Sequence, residues 1–266
     1  MAGRIKVAVA GALGRMGLET VRAVAGDGDL ELVGAADVKA RGERLAELAN
    51  LPGLDLVLDN DVEEMARTRQ PEVIIDFTNP QAVYQNARVA LVNGITAVIG
   101  TTGLNDFEIK ELERLSNEKG VGVAIIPNFA IGAVLMMMFA REAAKYLPHV
   151  EIVELHHDQK LDAPSGTAIK TAEMICESTR CFTPRGVQEM EKIPGSRGGK
   201  VNDVRIHSIR LPGLVAHQEV IFGGQGQCLT IRHDSYNRES FMPGVLLAVK
   251  KMYGRKGMVY GLERLL

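Results

Sequence analysis

The stretch ELHHDQKLDAPSGTA, residues 154–168, gathers two adjacent histidines, a lysine and a turn rich in small hydroxyl residues. Histidine ordinarily exchanges a proton near neutral pH, so one of this pair can act as a general acid. Lys160 adds a fixed positive charge. Pro164 and Gly166 can make a turn, and Ser165 and Thr167 place hydroxyls and backbone N–H groups at the start of a following helix, where an anion is favoured. Together they make a carboxylate receptor with a proton donor beside it. Metal ligation is the poorer reading. Adjacent strand residues point to opposite faces, so His156 and His157 should not share one ion if the strand runs through both. His207, His217 and His233 are scattered, with no acidic cluster beside them.

A second candidate site lies near the start. The segment GALGRMG puts glycines at 11, 14 and 17, directly after the apolar run 5–10. A strand, glycines and then a helix let backbone approach a pyrophosphate, whose charge meets the helix N-terminus. The spacing is one residue longer than the commonest form, and a glycine turn can also serve tight packing alone. The next apolar run, 30–36, ends at Asp37. A carboxylate there can accept hydrogen bonds from an adenosine ribose and repel a 2′-phosphate, which favours NADH. Lys39 and Arg41 follow; they could neutralise that phosphate or could be a solvated loop. The glycine turn Gly100-Thr101-Thr102-Gly103 follows the run 96–100 and would line the same crevice on the nicotinamide side.

These residues need elements to hold them. Runs at 5–10, 30–36, 73–77, 96–100 and 121–126 are continuously apolar, as suits strands covered by helices on both faces. Helical patterns at 16–25, 43–48, 81–92 and 106–119 alternate with them, the third opened by Asn79-Pro80 and closed near Asn93-Gly94. After Pro127 a Met-rich helix (131–146) leads to a strand (151–155), the histidine motif, a helix to about 178, and strands at 204–211, 218–222 and 228–232. The class is α/β, with a parallel dinucleotide-binding domain and a second domain built on an open mixed sheet. The longest loop is 183–200, and the last helix, 242–252, could return to the first domain.

Bulk properties narrow the rest. Lys+Arg is 31 and Asp+Glu 33, a net charge of −2, which gives no global field for nucleic acid or membrane. Cys176, Cys181 and Cys228 contain no C-x-x-C pair and read as reduced packing residues. The apolar start is too short and too glycine-broken for a signal peptide, and no run approaches a membrane span, so the expectation is a soluble cytoplasmic protein.

The histidine motif resembles the signature of the dihydrodipicolinate reductase family, and VAGALGRMG, IDFTNP, GTTG, PNFAIG and the run HSIRLPGLVAHQEVIFGGQGQCLTIRHDSYNRESFMPGV extend the resemblance over essentially the whole chain. It implies NADH- or NADPH-dependent reduction of a small cyclic dicarboxylate, dihydrodipicolinate (4-hydroxy-tetrahydrodipicolinate), in the diaminopimelate route to lysine. It implies His156 as proton donor, with Lys160 assisting the chemistry and holding substrate. His157, Ser165, Gly166 and Thr167 would contact the substrate carboxylates; Arg238 is a candidate substrate or hinge residue, or a solvated structural arginine. Gly11, Ala12, Leu13, Gly14, Arg15, Met16, Asp37, Gly100, Thr101, Thr102, Ile126, Pro127, Asn128 and Phe129 would bind the cofactor, with Lys39 leaving NADPH use open. The architecture implied is a Rossmann-like domain, 1–127 with 237–266, a substrate and oligomerisation domain, 128–236, and a homotetramer. One departure bears on the cofactor: Val38 stands where members that use NADPH well often have arginine.

Two rivals remain at this level. A phosphorylating semialdehyde dehydrogenase needs a cysteine nucleophile, and no cysteine lies in a convincing segment. A dinucleotide-sensing regulator would keep the fold without the chemistry, but would be expected to lose the histidine and lysine retained here.

Overall fold

The computed structural model describes residues 3–178 and 190–266. Cys181 and the 183–189 part of the expected long loop lie outside the described residues. The chain divides into two units, Met1–Phe129 with Phe241–Leu266, and Ala130–Ser240.

The first unit alternates strand and helix: β1 (Ile5–Ala10), α1 (Arg15–Gly26), β2 (Leu30–Ala36), α2 (Leu45–Ala49), α3 (Val62–Arg69), β3 (Val73–Asp76), α4 (Val83–Val92), β4 (Thr96–Ile99), α5 (Asp106–Lys119) and β5 (Gly122–Ile125). All residues of β3, β4 and β5 are buried, the signature of strands covered on both faces. The last part of the chain completes the unit with an eighth helix, Met242–Met252, and an eleventh strand, Gly257–Tyr260, which pairs in parallel with β5. The six-stranded sheet is parallel throughout, and β1 sits between β2 and β3. Strand order reverses there, and the loops leaving β1 and β3 diverge to open a crevice at the strands' carboxyl ends.

Sequence reading misses α3 and the eleventh strand. The helix buries only Met65 and Ala66 and is held at its start by Asp61, whose carboxylate accepts from Glu64 N; its four charged residues hide any apolar period. By contrast α5 matches its expected span. Asn105 and Glu108 form a reciprocal capping box, and Gly120 ends it in the left-handed region.

The second unit opens with α6 (Ile131–Ala143), followed by β6 (His149–His156), α7 (Gly166–Ser178), β7 (Gly199–Val201), β8 (Val204–Arg210), β9 (Ala216–Gly224) and β10 (Gln227–Ser235). Its sheet order is β10-β9-β6-β8-β7, with β6 and β8 parallel and the other pairs antiparallel. Ile152, Ile206 and Val220 stand in register on one face and are fully buried, and α6 and α7 pack on the sheet. The expected mixed sheet is therefore present, with β7 overlapping the end of the segment read as loop. Cys228 is exposed on β10, so it is not a packing residue, and Cys176 is half-buried. No helix among the described residues is long and apolar enough to cross a membrane.

Candidate functional site

The first unit forms a cradle at the end of β1. Gly11 has φ +82°, and a Cβ on it would lie 2.5 Å from the Phe77 carbonyl oxygen. A Cβ on Gly17 would collide with the Gly11 carbonyl oxygen, so both positions require glycine on packing grounds. The loop's own N–H groups are committed: Gly11 and Ala12 donate to Ala36 O, Gly14 to Gly11 O, and Leu13 to Asp37 Oδ2 at 3.1 Å. What the turn presents to an anion is the first turn of α1, where Arg15 and Met16 begin a helix whose first N–H groups lack intrahelical acceptors. Asp37 also accepts from Lys39 N at 3.0 Å. A cavity of about 300 Å³ opens here, lined among others by Gly14, Asp37, Lys39, Thr78, Asn79 and Asn86.

A buried carboxylate ties the neighbouring loops together. Asp76, at the end of β3, is 3% exposed and accepts from Thr78 N (2.9 Å), Thr78 Oγ1 (2.7 Å), Asn86 Nδ2 (2.8 Å) and Thr101 Oγ1 (2.7 Å). Thr101 thus points its hydroxyl into the protein. Gly100 packs on the Phe77 ring, which leaves no room for a Cβ. Ile126 and Phe129 are buried, Phe129 against Phe77 with ring centroids 5.6 Å apart. For Thr101, Ile126 and Phe129 this leaves the backbone as the part able to face a cofactor. Thr102 and Pro127 are exposed, and Asn128 is half-buried.

In the second unit β6 ends at the first histidine of the sequence motif. Ile152, Glu154 and His156 alternate onto one face, and Glu154 is fully buried. His156 Nδ1 lies 2.5 Å from Glu154 Oε2. Arg210, in register with His156 on β8, donates to Glu154 through Nη1 (2.9 Å) and Nη2 (2.8 Å), the bidentate geometry of a strong pair. Ser165 N donates to the same carboxylate at 3.3 Å. Burial alone would raise the Glu154 pKa, but hydrogen bonds from His156, Arg210 and Ser208 hold it at about 2.

The strand stops at His156, so His157 lies in the following loop, exposed, its carbonyl accepting from Lys160 N. Lys160 Nζ donates to Asp162 Oδ1 at 2.7 Å, a bond that lowers the Asp162 pKa. The expected fixed positive charge is thus paired with a carboxylate. Ser165 caps α7, its Oγ accepting from Ala168 N at 3.2 Å. Gly166 opens that helix without positive φ, and a Cβ there would meet nothing within 4 Å, so the fold itself does not demand glycine at this position. Arg238 is exposed in a 3-10 turn, Arg238–Phe241, with no hydrogen bond to the His156 group among the described residues.

The structure therefore brings His156, Lys160 and the α7 start, which the sequence singles out, together with Glu154, Asp162 and Arg210, which it does not. For Glu154 the signal exists: an acid two residues before the histidine, on the same face as Ile152. Arg210 is 56 residues from Glu154, and only strand register brings them together.

The chain matches the family models described as dihydrodipicolinate reductase, N-terminus, over residues 5–129, and C-terminus, over residues 132–266. It is 65% identical over 263 residues to a 4-hydroxy-tetrahydrodipicolinate reductase of Syntrophomonas wolfei, covering 99% of each chain. A protein of the same name from Desulfitobacterium hafniense is 52% identical over 265 residues, again covering 99% of each. Among solved structures, a dipicolinate-bound dihydrodipicolinate reductase from Paenisporosarcina sp. TG-14 aligns with TM-score 0.89 and 45% identity, over 99% of this chain and 100% of that one.

Proposed function

Because the chain belongs to the dihydrodipicolinate reductase family, we propose that it reduces 4-hydroxy-tetrahydrodipicolinate, as its dehydrated form dihydrodipicolinate, to tetrahydrodipicolinate in the diaminopimelate route to lysine. The observation that carries this reading is His156 on buried Glu154, beside Lys160 and the start of α7.

The residues of the first unit fit a nicotinamide dinucleotide: two glycines whose Cβ atoms would collide with backbone, an uncapped helix start, and a carboxylate at the wall of the cavity. Gly11 to Met16 would hold the pyrophosphate, Asp37 the adenosine ribose, and the Gly100–Thr102 and Ile126–Phe129 backbones the nicotinamide side. When bound, that group supplies the hydride. Asp37 favours NADH, since its fixed carboxylate is set to accept from ribose hydroxyls and would repel a 2′-phosphate. Val38, 73% exposed, brings no countercharge, while exposed Lys39 leaves NADPH use open.

In the second unit, His156 gives the proton that completes reduction of the ring. Lys160 exchanges Asp162 for a substrate carboxylate and steadies charge on the ring. Ser165, Gly166 and Thr167 receive the other carboxylate at the positive end of α7, with His157 and Arg238 as further contacts. We take the protein to be a homotetramer, as the family resemblance implies, and place it in the cytoplasm.

The test follows NADH and NADPH oxidation while a dihydrodipicolinate synthase generates the labile substrate in place. H156A should lower turnover by ~10²–10⁴-fold, the range for loss of a general acid, and K160A should damage both KM and kcat. Wild-type kinetics in both variants would remove the site assignment, and dinucleotide binding without substrate-dependent oxidation would remove the reaction.

A further inference from the structure

We infer that Glu154 and Arg210 form a positioning pair that fixes His156 as the tautomer protonated on Nδ1, so that Nε2 is the atom that carries and delivers the proton. This rests on the reading of His156 as proton donor.

An ionised carboxylate has lone pairs and no proton to give. Glu154 stays ionised down to strong acid, and its Oε2 faces Nδ1 at 2.5 Å. Nδ1 must therefore be the donor in that contact, whatever the charge on the ring. The proton that comes and goes is then on Nε2. The side chain of His156 is 15% exposed and that of Glu154 0%, so water does not compete for the carboxylate.

Arg210 completes the device. Its two contacts engage both oxygens of Glu154, and the same guanidinium donates from Nη2 to Asp162 O (2.7 Å) and from Nη1 to Ile209 O (2.8 Å). The carboxylate is thereby fixed in direction and its charge is balanced. An unbalanced carboxylate at this distance would grip the imidazolium proton and oppose its release; a balanced one orients the ring without holding the proton back. The charged groups around His156 are Glu154 on β6, Arg210 on β8 and the Lys160–Asp162 pair in the loop. On β9 the residue in register is Ala216, and the first turn of α7 has no acidic residue.

Two measurements test the pair. In the 15N-labelled wild-type protein, the ring nitrogen signals of neutral His156 should report the proton on Nδ1; a proton on Nε2 would overturn the proposal without any variant. In the coupled assay, the basic limb of the kcat/KM profile should move to lower pH in E154Q and to higher pH in R210M. E154Q should also lose roughly 10–10²-fold in kcat, part of the ~10²–10⁴ that the acid itself contributes. Movement of both limbs in the same direction, or of neither, contradicts the pair, because a merely structural role gives no opposed signs. If a variant fails to fold, the wild-type tautomer decides. Failure of the underlying reading looks different: H156A would turn over like wild type while the Nδ1 signal stands.

Discussion

Each unit centres on a buried carboxylate near the carboxyl end of a strand, and the two differ in whether charged groups are among their donors. Asp76 receives hydroxyl, amide and backbone N–H donors from Thr78, Asn86 and Thr101, all neutral. Glu154 receives a guanidinium and an imidazole, both able to carry charge. Neutral donors fasten loops. Charged donors would, on the proposed reading, link the fold to the proton that His156 delivers. Chemistry of the same side-chain class thus builds a scaffold in one unit and, on that reading, a proton-handling group in the other.

The largest expected separation is in stability. Glu154→Ala leaves the partly buried Arg210 without its carboxylate and should cost about 3 kcal/mol, the lower end of the range for breaking a buried pair. Asp76→Ala leaves only neutral donors unpaired and should cost about 1–3 kcal/mol. Urea unfolding of the two variants, each followed by a probe in its own unit, measures both; equal losses would erase the distinction. Acid provides the next contrast. The Glu154 pKa falls from an ordinary 4.5 to about 2 on folding, so its contribution is fully present above pH 4.5 and is lost as pH drops through that interval toward 2. The shift corresponds to about 3 kcal/mol. Thermal unfolding between pH 5 and 2 should show this loss in wild type and a flatter curve in E154Q.

The smallest effect on stability sharpens the comparison from the glycines. Gly17→Ala should disrupt the turn, because its Cβ has no room. Gly166→Ala should leave the unfolding midpoint within about 0.5 kcal/mol of wild type, the usual range for a surface change, and instead raise the KM for substrate, because the new methyl enters space that only a ligand would use.

The parallel sheet was legible because buried strands read as unbroken apolar runs: β1 and β2 match their expected ends, as does the eighth helix, with its Pro near the start. The eleventh strand was not, since Gly257–Tyr260 is four residues long and becomes a strand by pairing with β5 far back in the chain. The same distinction governs the sites. Glycines, and a histidine beside a lysine, announce themselves locally. Asp76 stands within IDFTNP, yet Asn86 and Thr101 reach it from 10 and 25 residues away. Spacing along the chain does not encode such pairings; the return of α4 brings Asn86 and the pairing of β3 with β4 brings Thr101.

The double attachment of Asp37 bears on how cofactor preference can change over evolution or by design. The carboxylate that would discriminate between the two dinucleotides is also the clasp on the glycine turn, through Leu13 N, and on its own loop, through Lys39 N. On the proposed reading, selectivity and loop closure would be one trait with one residue behind it. A replacement that admits a phosphate must also bring acceptors for two backbone donors, so a switch toward NADPH is more accessible by adding a cation at Val38 than by removing the acid.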